Sequence, residues 1–296
     1  MKKTLIKLYS QYWKLISKII TNDRTYISLL YHHRMGYWPN LDKPATFNEK
    51  LQWIKLFDHN PLYSTMVDKY LVKKYVASKI GEEYIIPTLG VWDSPENICW
   101  DSLPDQFVLK VTHDSGGLII CKDKASLNLQ LAKSKLEKSL NRNYYLHSRE
   151  WPYKAVKHRI IAEKFMVDSE SAELSDFKIH CFNGEPKFIL VCRDRYSGKG
   201  LTEDFYDTDW NHMTIRRPKH PNADTPMQKP AELDEMLRLA RVLAKDVPFA
   251  RTDFYIVNHK IYFGELTFFP ASGMTPFIPN EWDITFGQWL KLPFEE

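Results

Sequence analysis

Apolar residues recur along this chain with two different periods, and the change falls near residue 107. Ahead of it the spacing is that of helices. In MKKTLIKLYSQYWKLISKII, Leu5, Leu8, Tyr12, Leu15, Ile16 and Ile19 recur every three to four positions. In TFNEKLQWIKLF, Thr46 and Glu49 form the signature of a capping box, followed by an apolar stripe at Leu51, Ile54 and Leu56. TMVDKYLVKKYVASKIG predicts a second, continuous helix that stops at Gly81. EYIIPTLGVWD then predicts a short strand broken by Pro87.

Beyond residue 107 strands take over. FVLKV and LIICK are β-type runs on either side of the turn-rich THDSGG. SLNLQLAKSKLEKSL has helical spacing, and HRIIAEKFM predicts a strand leading into an acidic loop. DFKIHCF and PKFILVC flank Asn183-Gly184, a pair that favours the type I′ hairpin turn. AELDEMLRLARVLAKDV predicts an amphipathic helix with Leu233, Met236, Leu237, Ala240 and Leu243 on one face. RTDFYIVNHKIYFGELTFF predicts a second hairpin. Two sheets interspersed with helices, rather than strict βαβ repetition, point to an α+β fold.

Composition narrows the classes. A chain of 296 residues can form one large domain or several subdomains. A net charge of +4 and the absence of any basic tract interleaved with aromatics argue against nucleic acid as a partner. None of Cys99, Cys121, Cys181 and Cys192 forms a C-x-x-C pair, so free thiols and a cytosolic setting are expected. No apolar run reaches the roughly 18–20 residues that span a bilayer. The first twenty residues carry five lysines and no acid, and lysines interrupt their apolar positions, which does not suit a signal peptide. Two readings stand: an amphipathic helix packed on the protein, or one lying on an anionic membrane surface.

Four constellations could carry chemistry. If the last hairpin turns about His259, Asp253 faces Glu265, Arg251 faces Thr267 and Tyr255 faces Phe263, all on one side of the sheet. Two carboxylates about 5 Å apart repel, so a positive group is expected beside them: a divalent cation, or Arg251 itself. In FVLKVTHDSGGLIIC, the adjacent Gly116 and Gly117 allow backbone amides to approach a phosphate, and Lys110 supplies a charge; a plain hairpin turn is the alternative. The strand end Glu163-Lys164-Phe165-Met166 offers backbone groups beside apolar side chains, as an adenine requires, with Glu170 placed to accept from ribose and Asp176, Lys178 and His180 sharing one strand face. Asp207-Thr-Asp209 could hold a metal against a nucleotide-sugar diphosphate, or simply form a turn.

The order of these segments resembles the ATP-grasp fold. A lysine strand with a glycine loop is followed by E-K-F-M, D-F-K, R-x-D and E-x-x-x-x-P-x-x-G-M, a succession similar to that of D-alanine–D-alanine ligase. The chain looks still more like the amidoligase branch named for teichuronopeptide biosynthesis, from about Thr46 to near the C-terminus. The resemblance implies two α+β subdomains clamping ATP behind a mainly helical N-terminal region. That divides the chain into residues 1–100, a lid at 101–166, and a metal-bearing C-terminal subdomain at 167–296.

By the same resemblance, Lys110 contacts the nucleotide phosphates, the loop containing His113, Ser115, Gly116 and Gly117 folds over them, and Lys69 is an upstream lysine that reaches the nucleotide. Glu163, Lys164, Phe165 and Met166 form the adenine hinge and Glu170 accepts from ribose. Lys178 and Arg251 neutralise the transferring phosphate, and Asp253, Glu265 and Thr267 hold Mg2+. Thr267 stands where the family usually has asparagine, and Asp114 where close relatives tend to have glycine. The implied activity is ATP-dependent joining of a carboxylate to an amine through an acylphosphate. The implied partners are a surface-polysaccharide sugar acid and an amine such as an amino acid, with peripheral membrane contact through residues 1–20 and a cytoplasmic location near the inner face of the membrane. A nucleotide-sugar glycosyltransferase and a catalytically degenerate membrane-associated scaffold are the alternatives.

Overall fold

A computed structural model describes residues 2–169, 174–194 and 200–295, with side chains from residue 11 onward. The N-terminal third is helical: α1 (Lys2–Ile19), α2 (Asp23–Met35), α3 (Phe47–Phe57), α4 (Leu62–Val67) and α5 (Leu71–Ile80). The capping box at α3 forms as expected, with Glu49 N donating to the Thr46 hydroxyl and the Glu49 carboxylate accepting from Thr46 N.

The continuous helix expected over residues 65–81 is instead broken at Asp68. The Asp68 carboxylate accepts from Tyr70 N at 2.8 Å and Leu71 N at 3.1 Å, which starts α5 afresh. It also pairs with Arg159 at 3.1 Å. The break frees Lys69 N to donate to Thr112 O at 3.1 Å, tying this segment to the loop after the lysine strand.

Two antiparallel sheets follow. The smaller contains β1 (Thr88–Trp92), β2 (Phe107–Val111), β3 (Ile119–Cys121) and β4 (Ile160–Lys164), in the order β1-β4-β2-β3. It packs on α6 (Leu129–Leu140) through Phe107, Leu109, Ala132 and Leu136, and a short α7 (Tyr144–Ser148) leads back to β4. Because β1 comes from residues 88–92, this unit begins upstream of residue 101.

The larger sheet contains β5 (Asp176–Phe182), β6 (Glu185–Arg193), β7 (Thr202–Asp207), β8 (Phe249–Val257) and β9 (Lys260–Thr267), in the order β7-β6-β5-β8-β9. Phe177, Ile179 and Cys181 alternate with Asp176, Lys178 and His180 along β5. The apolar set joins residues of α3, α5, α8 (Leu233–Leu243) and α9 (Glu281–Trp289) in the largest core. The helices at residues 47–80 therefore share a core with the larger sheet instead of forming a layer of their own. An isolated bridge between Ile85 and Phe263 links the approach to β1 with β9.

Both hairpins form. Asn183 and Gly184 adopt φ of 48° and 85°, as a type I′ turn demands. The last hairpin turns on two residues, Asn258 and His259 with φ of 48° and 60°, not on three. Tyr255 consequently faces Tyr262, and Phe263 faces Phe254 in the core, which corrects the expected Tyr255–Phe263 pair. A bulge at Gly264 then restores the register, so Asp253 faces Glu265 and Arg251 faces Thr267. In an unbulged ladder Gly264 would face Asp253, and Glu265 would face Thr252 and project from the other side of the sheet. Glycine suits the position: a Cβ there would lie 3.0 Å from the Tyr255 ring and 3.2 Å from Asp253 O.

Candidate active site

Charged side chains from both sheets and from the Asp68 break converge. On the smaller sheet Glu163 faces Val108, so Lys110, two residues along β2 on the same face, reaches it diagonally. The Glu163 carboxylate is buried and paired twice, with Lys110 Nζ and Lys73 Nζ at 2.5 Å each. Burial opposes its charge, but Lys110 and then Lys73 hold the carboxyl below its usual range. Lys69 Nζ donates to Asp114 O at 2.9 Å; burial pushes this ammonium down, against the attraction of Glu265. Burial likewise opposes the Lys110 charge, yet Glu163, Glu265 and Asp176 raise it above its ordinary value.

On the larger sheet Arg251 fills the space between the two carboxylates. Its Nε donates to Asp253 Oδ1 at 2.6 Å; its Nη2 donates to Asp253 Oδ2 and Glu265 Oε1 at 2.7 Å and to Thr267 Oγ1 at 3.2 Å. Lys178 Nζ lies 2.5 Å from Asp253 and 3.4 Å from Asp176. Burial pushes the Asp253 carboxyl up against both cations. Burial also works against the Glu265 charge, but Arg251, Lys69, Lys178 and Lys110 together hold that carboxyl at about 2. Lys69 and Lys110 of the smaller-sheet side are among the cations that lower Glu265, so the two sheets share one charged region of five cations and four carboxylates (Lys69, Lys73, Lys110, Lys178 and Arg251; Glu163, Asp176, Asp253 and Glu265). Tyr255 belongs to the same face: burial first, then Asp176 and Glu265, hold its phenol well above the usual range.

The donor set suits a hard divalent ion. Two carboxylates and a hydroxyl offer oxygen alone, and magnesium commonly takes one or two carboxylates while keeping waters or phosphate oxygens in its other positions. Among the described residues no cluster of three His, Cys, Asp or Glu side chains is arranged for a metal.

The glycine loop has two distinct glycines. Gly117 is buried, and a Cβ there would meet Ser139 Oγ at 2.5 Å, so its bareness lets the loop seat on α6; Gly116 and Ser115 are exposed at the tip. Asp114 turns inward, beneath that tip. Its carboxylate accepts from Gly116 N at 2.6 Å, from the Ser139 hydroxyl and from Arg142 at 3.3 Å. Burial opposes the Asp114 charge, but these partners hold its carboxyl below the usual range. The His113 imidazole is also internal: it stacks on His158 with centroids 3.5 Å apart, and its Nε2 bonds Arg142 O at 2.9 Å.

At the hinge, Lys164 N donates to Pro87 O at 3.0 Å; the Lys164 side chain is exposed, and Phe165 and Met166 are half-buried. Glu170 lies outside the described residues. His180 stacks on Phe188 at 4.1 Å and its Nδ1 bonds Lys178 O, so it supports the strand rather than the cleft. Asp207 accepts from Asp209 N and Asn211 N, an ordinary aspartate turn after β7.

Sequence reasoning missed Lys73 and Arg217. Lys73 stands four residues after Lys69, a helical spacing that could have disclosed it. Arg217 lies over the rings of Phe205 and Phe277 with only a loose 3.9 Å approach to Glu203, and its Nε has no hydrogen-bond partner among the described residues. Nothing in its local sequence marks it.

A family model described as TupA-like ATPgrasp matches residues 49–291. Among solved structures, D-alanine–D-alanine ligase from Bacillus anthracis complexed with ATP is 17% identical, covering 83% of this chain and 62% of that one, with a TM-score of 0.40. The same enzyme from Helicobacter pylori is 14% identical over 82% and 69% of the two chains (TM-score 0.39), and D-cycloserine synthetase DcsG is 13% identical over 78% and 72% (TM-score 0.43). The chain spans 59% to 62% of the length of the Bacillus anthracis ligase structures. No curated protein sequence matches it.

Proposed function

The chain belongs to the TupA-like ATP-grasp family, and from that membership and its cleft we propose that it is an ATP-dependent carboxylate–amine ligase. One observation carries the reading: Lys110 and Lys73 hold Glu163 on the smaller sheet, while on the larger sheet the single Arg251 guanidinium spans Asp253 and Glu265. A cleft with that balance accepts a polyanion whose phosphates replace internal carboxylates as partners of the cations.

In this reading the substrate carboxylate oxygen attacks the γ-phosphorus of ATP and ADP departs, giving an acylphosphate. The amine nitrogen then attacks the acyl carbon, inorganic phosphate leaves, the nitrogen gives up its proton, and an amide results. Arg251, Lys178 and Lys110 neutralise charge on the transferring group, which is most of what phosphoryl transfer asks of a protein. Asp253 and Glu265, with the Thr267 hydroxyl, would hold Mg2+, which supplies further neutralisation of phosphate oxygens when bound. Ser115, Gly116 and Gly117 close over the phosphates and keep water from the acylphosphate. Phe165 and Met166 flank the adenine. Lys69 steadies the loop through Asp114 O.

The acceptor we favour is a sugar acid of a surface polysaccharide, joined to an amine such as an amino acid by an enzyme working at the inner face of the membrane. Support comes from the family and from the cationic cleft. ADP release tests the reading, measured with uronic-acid glycans and amino acids, for the unmodified protein and for Asp253→Asn and Glu265→Gln. Amide formation coupled to ADP, lost in both variants, is expected. Full turnover in either variant would overturn the metal assignment, and tighter binding of a nucleotide sugar than of ATP would overturn the reaction class.

A further inference from the structure

We propose that α1 lies along an anionic lipid surface, with Tyr12, Leu15 and Ile19 dipped into the interface and Lys14 and Lys18 at the headgroups. The inference deepens the proposed location at the membrane and does not depend on the ligase chemistry.

This helix has two apolar faces, and the fold uses one. Trp13 is buried against Tyr26 and His33, with centroids 6.1 and 5.2 Å away. Ser17 is buried, and Arg149 Nη2 donates to Ser17 O and Ile20 O at 2.8 Å each, closing the C-terminal turn. Arg149 is anchored in turn by Asp23 at 3.0 Å. The inner face is therefore firmly seated.

The other face is not used. Tyr12, Leu15 and Ile19 are 58%, 58% and 64% exposed, and their spacing of three and four residues sets them in one row. The sequence continues that row at Leu8 and Leu5. Lys14 and Lys18 are exposed, and in the sequence Lys7 stands seven residues, about two helical turns, before Lys14. The first acidic residue of the chain is Asp23.

Charge decides what covers this face. A second copy of the helix would bring two lysine rows together, which repel. An anionic bilayer takes the apolar row and the lysine row on one surface. The helix lies on that surface rather than crossing it: among the described residues no helix is long and apolar enough to span a membrane. The matched family region begins at residue 49, so α1 lies outside it.

Sedimentation of the full chain with vesicles tests this, using phosphatidylcholine alone or mixed three to one with phosphatidylglycerol. Binding to the mixed vesicles at low salt should exceed binding to neutral ones by about tenfold or more, and fall as salt is raised. Each basic residue near such a surface adds about fivefold, so Lys14→Gln with Lys18→Gln should weaken binding roughly 25-fold. Leu15→Glu with Ile19→Glu should abolish it. These side chains are exposed, so thermal midpoint and calorimetric ATP binding serve as checks that each variant is folded. Equal or absent sedimentation on the two vesicle types overturns the proposal. So does undiminished binding by the glutamate pair, or a lipid-free dimer that this pair dissolves.

Discussion

The Arg251 guanidinium grips the Asp253 carboxylate at two points, Nε to Oδ1 at 2.6 Å and Nη2 to Oδ2 at 2.7 Å, from a position two residues away on the same strand. The same Nη2 reaches Glu265, so one planar cation spans both carboxylates. Lysine keeps the charge but cannot make this fork. Arg251→Lys should stay folded, with a midpoint within a few degrees of the unmodified protein, and lose about a hundredfold or more in ADP release. Turnover within threefold of normal would rule out a role for the fork.

Lys73 shares Glu163 with Lys110. Removing it leaves a buried carboxylate that draws more strongly on Lys110, which then has less to offer a phosphate. Lys73→Met should weaken ATP binding about tenfold by calorimetry. An affinity unchanged within twofold would make Lys73 a bystander.

Gly117 leaves no room for a side chain: a Cβ would sit 2.5 Å from Ser139 Oγ and 2.8 Å from Val111 Cγ2. Gly117→Ala should cost about 1–3 kcal/mol through overpacking and displace the loop from α6. Gly116, at the exposed tip, meets nothing closer than the end of the Arg142 side chain at 3.3 Å. Gly116→Ala should leave the denaturation midpoint almost unchanged, and the difference between the two variants in chemical denaturation is the measurement.

Burial, followed by the charge of His158, holds the His113 imidazole down at about 4. That lies below the value near 6.5 of an unfolded chain, so between those values the unfolded state binds more protons. Stability should therefore fall as pH is lowered from about 6.5 towards 4, and then level off for this group. One fully buried imidazole with such a shift accounts for about 3 kcal/mol at most. His113→Gln should flatten the pH dependence of the thermal midpoint in that window; an unchanged slope would show that folding does not lower the affinity of His113 for protons.

Most elements were legible because their periods were clean. The capping box at Thr46, the Asn183-Gly184 turn and the apolar row of α8 each rest on local chemistry that tertiary structure had no reason to override. The break at Asp68 was not legible: an aspartate inside a helical pattern reads as a surface residue until Arg159, far away in sequence, pairs with it. The pairing of Asp253 with Glu265 was anticipated, but from a three-residue turn; the actual route is a two-residue turn and a bulge. The inward turn of Asp114 depends on Ser139 and Arg142, distant partners that local sequence does not reveal. Arg217 left no local trace for the same reason.

Gly264 makes the last hairpin behave like a parity check. The turn at Asn258-His259 sets one phase of side-chain alternation, the extra residue at Gly264 inverts it, and Glu265 lands beside Asp253 only after both have acted. Pairing without the bulge, with Gly264 kept in the ladder, would carry Glu265 to the far side while leaving every residue of the cleft in the chain. Surface turns are usually where proteins tolerate changes in length; here the side that Glu265 faces is decided inside the strand, by one glycine with no side chain to offer a ligand.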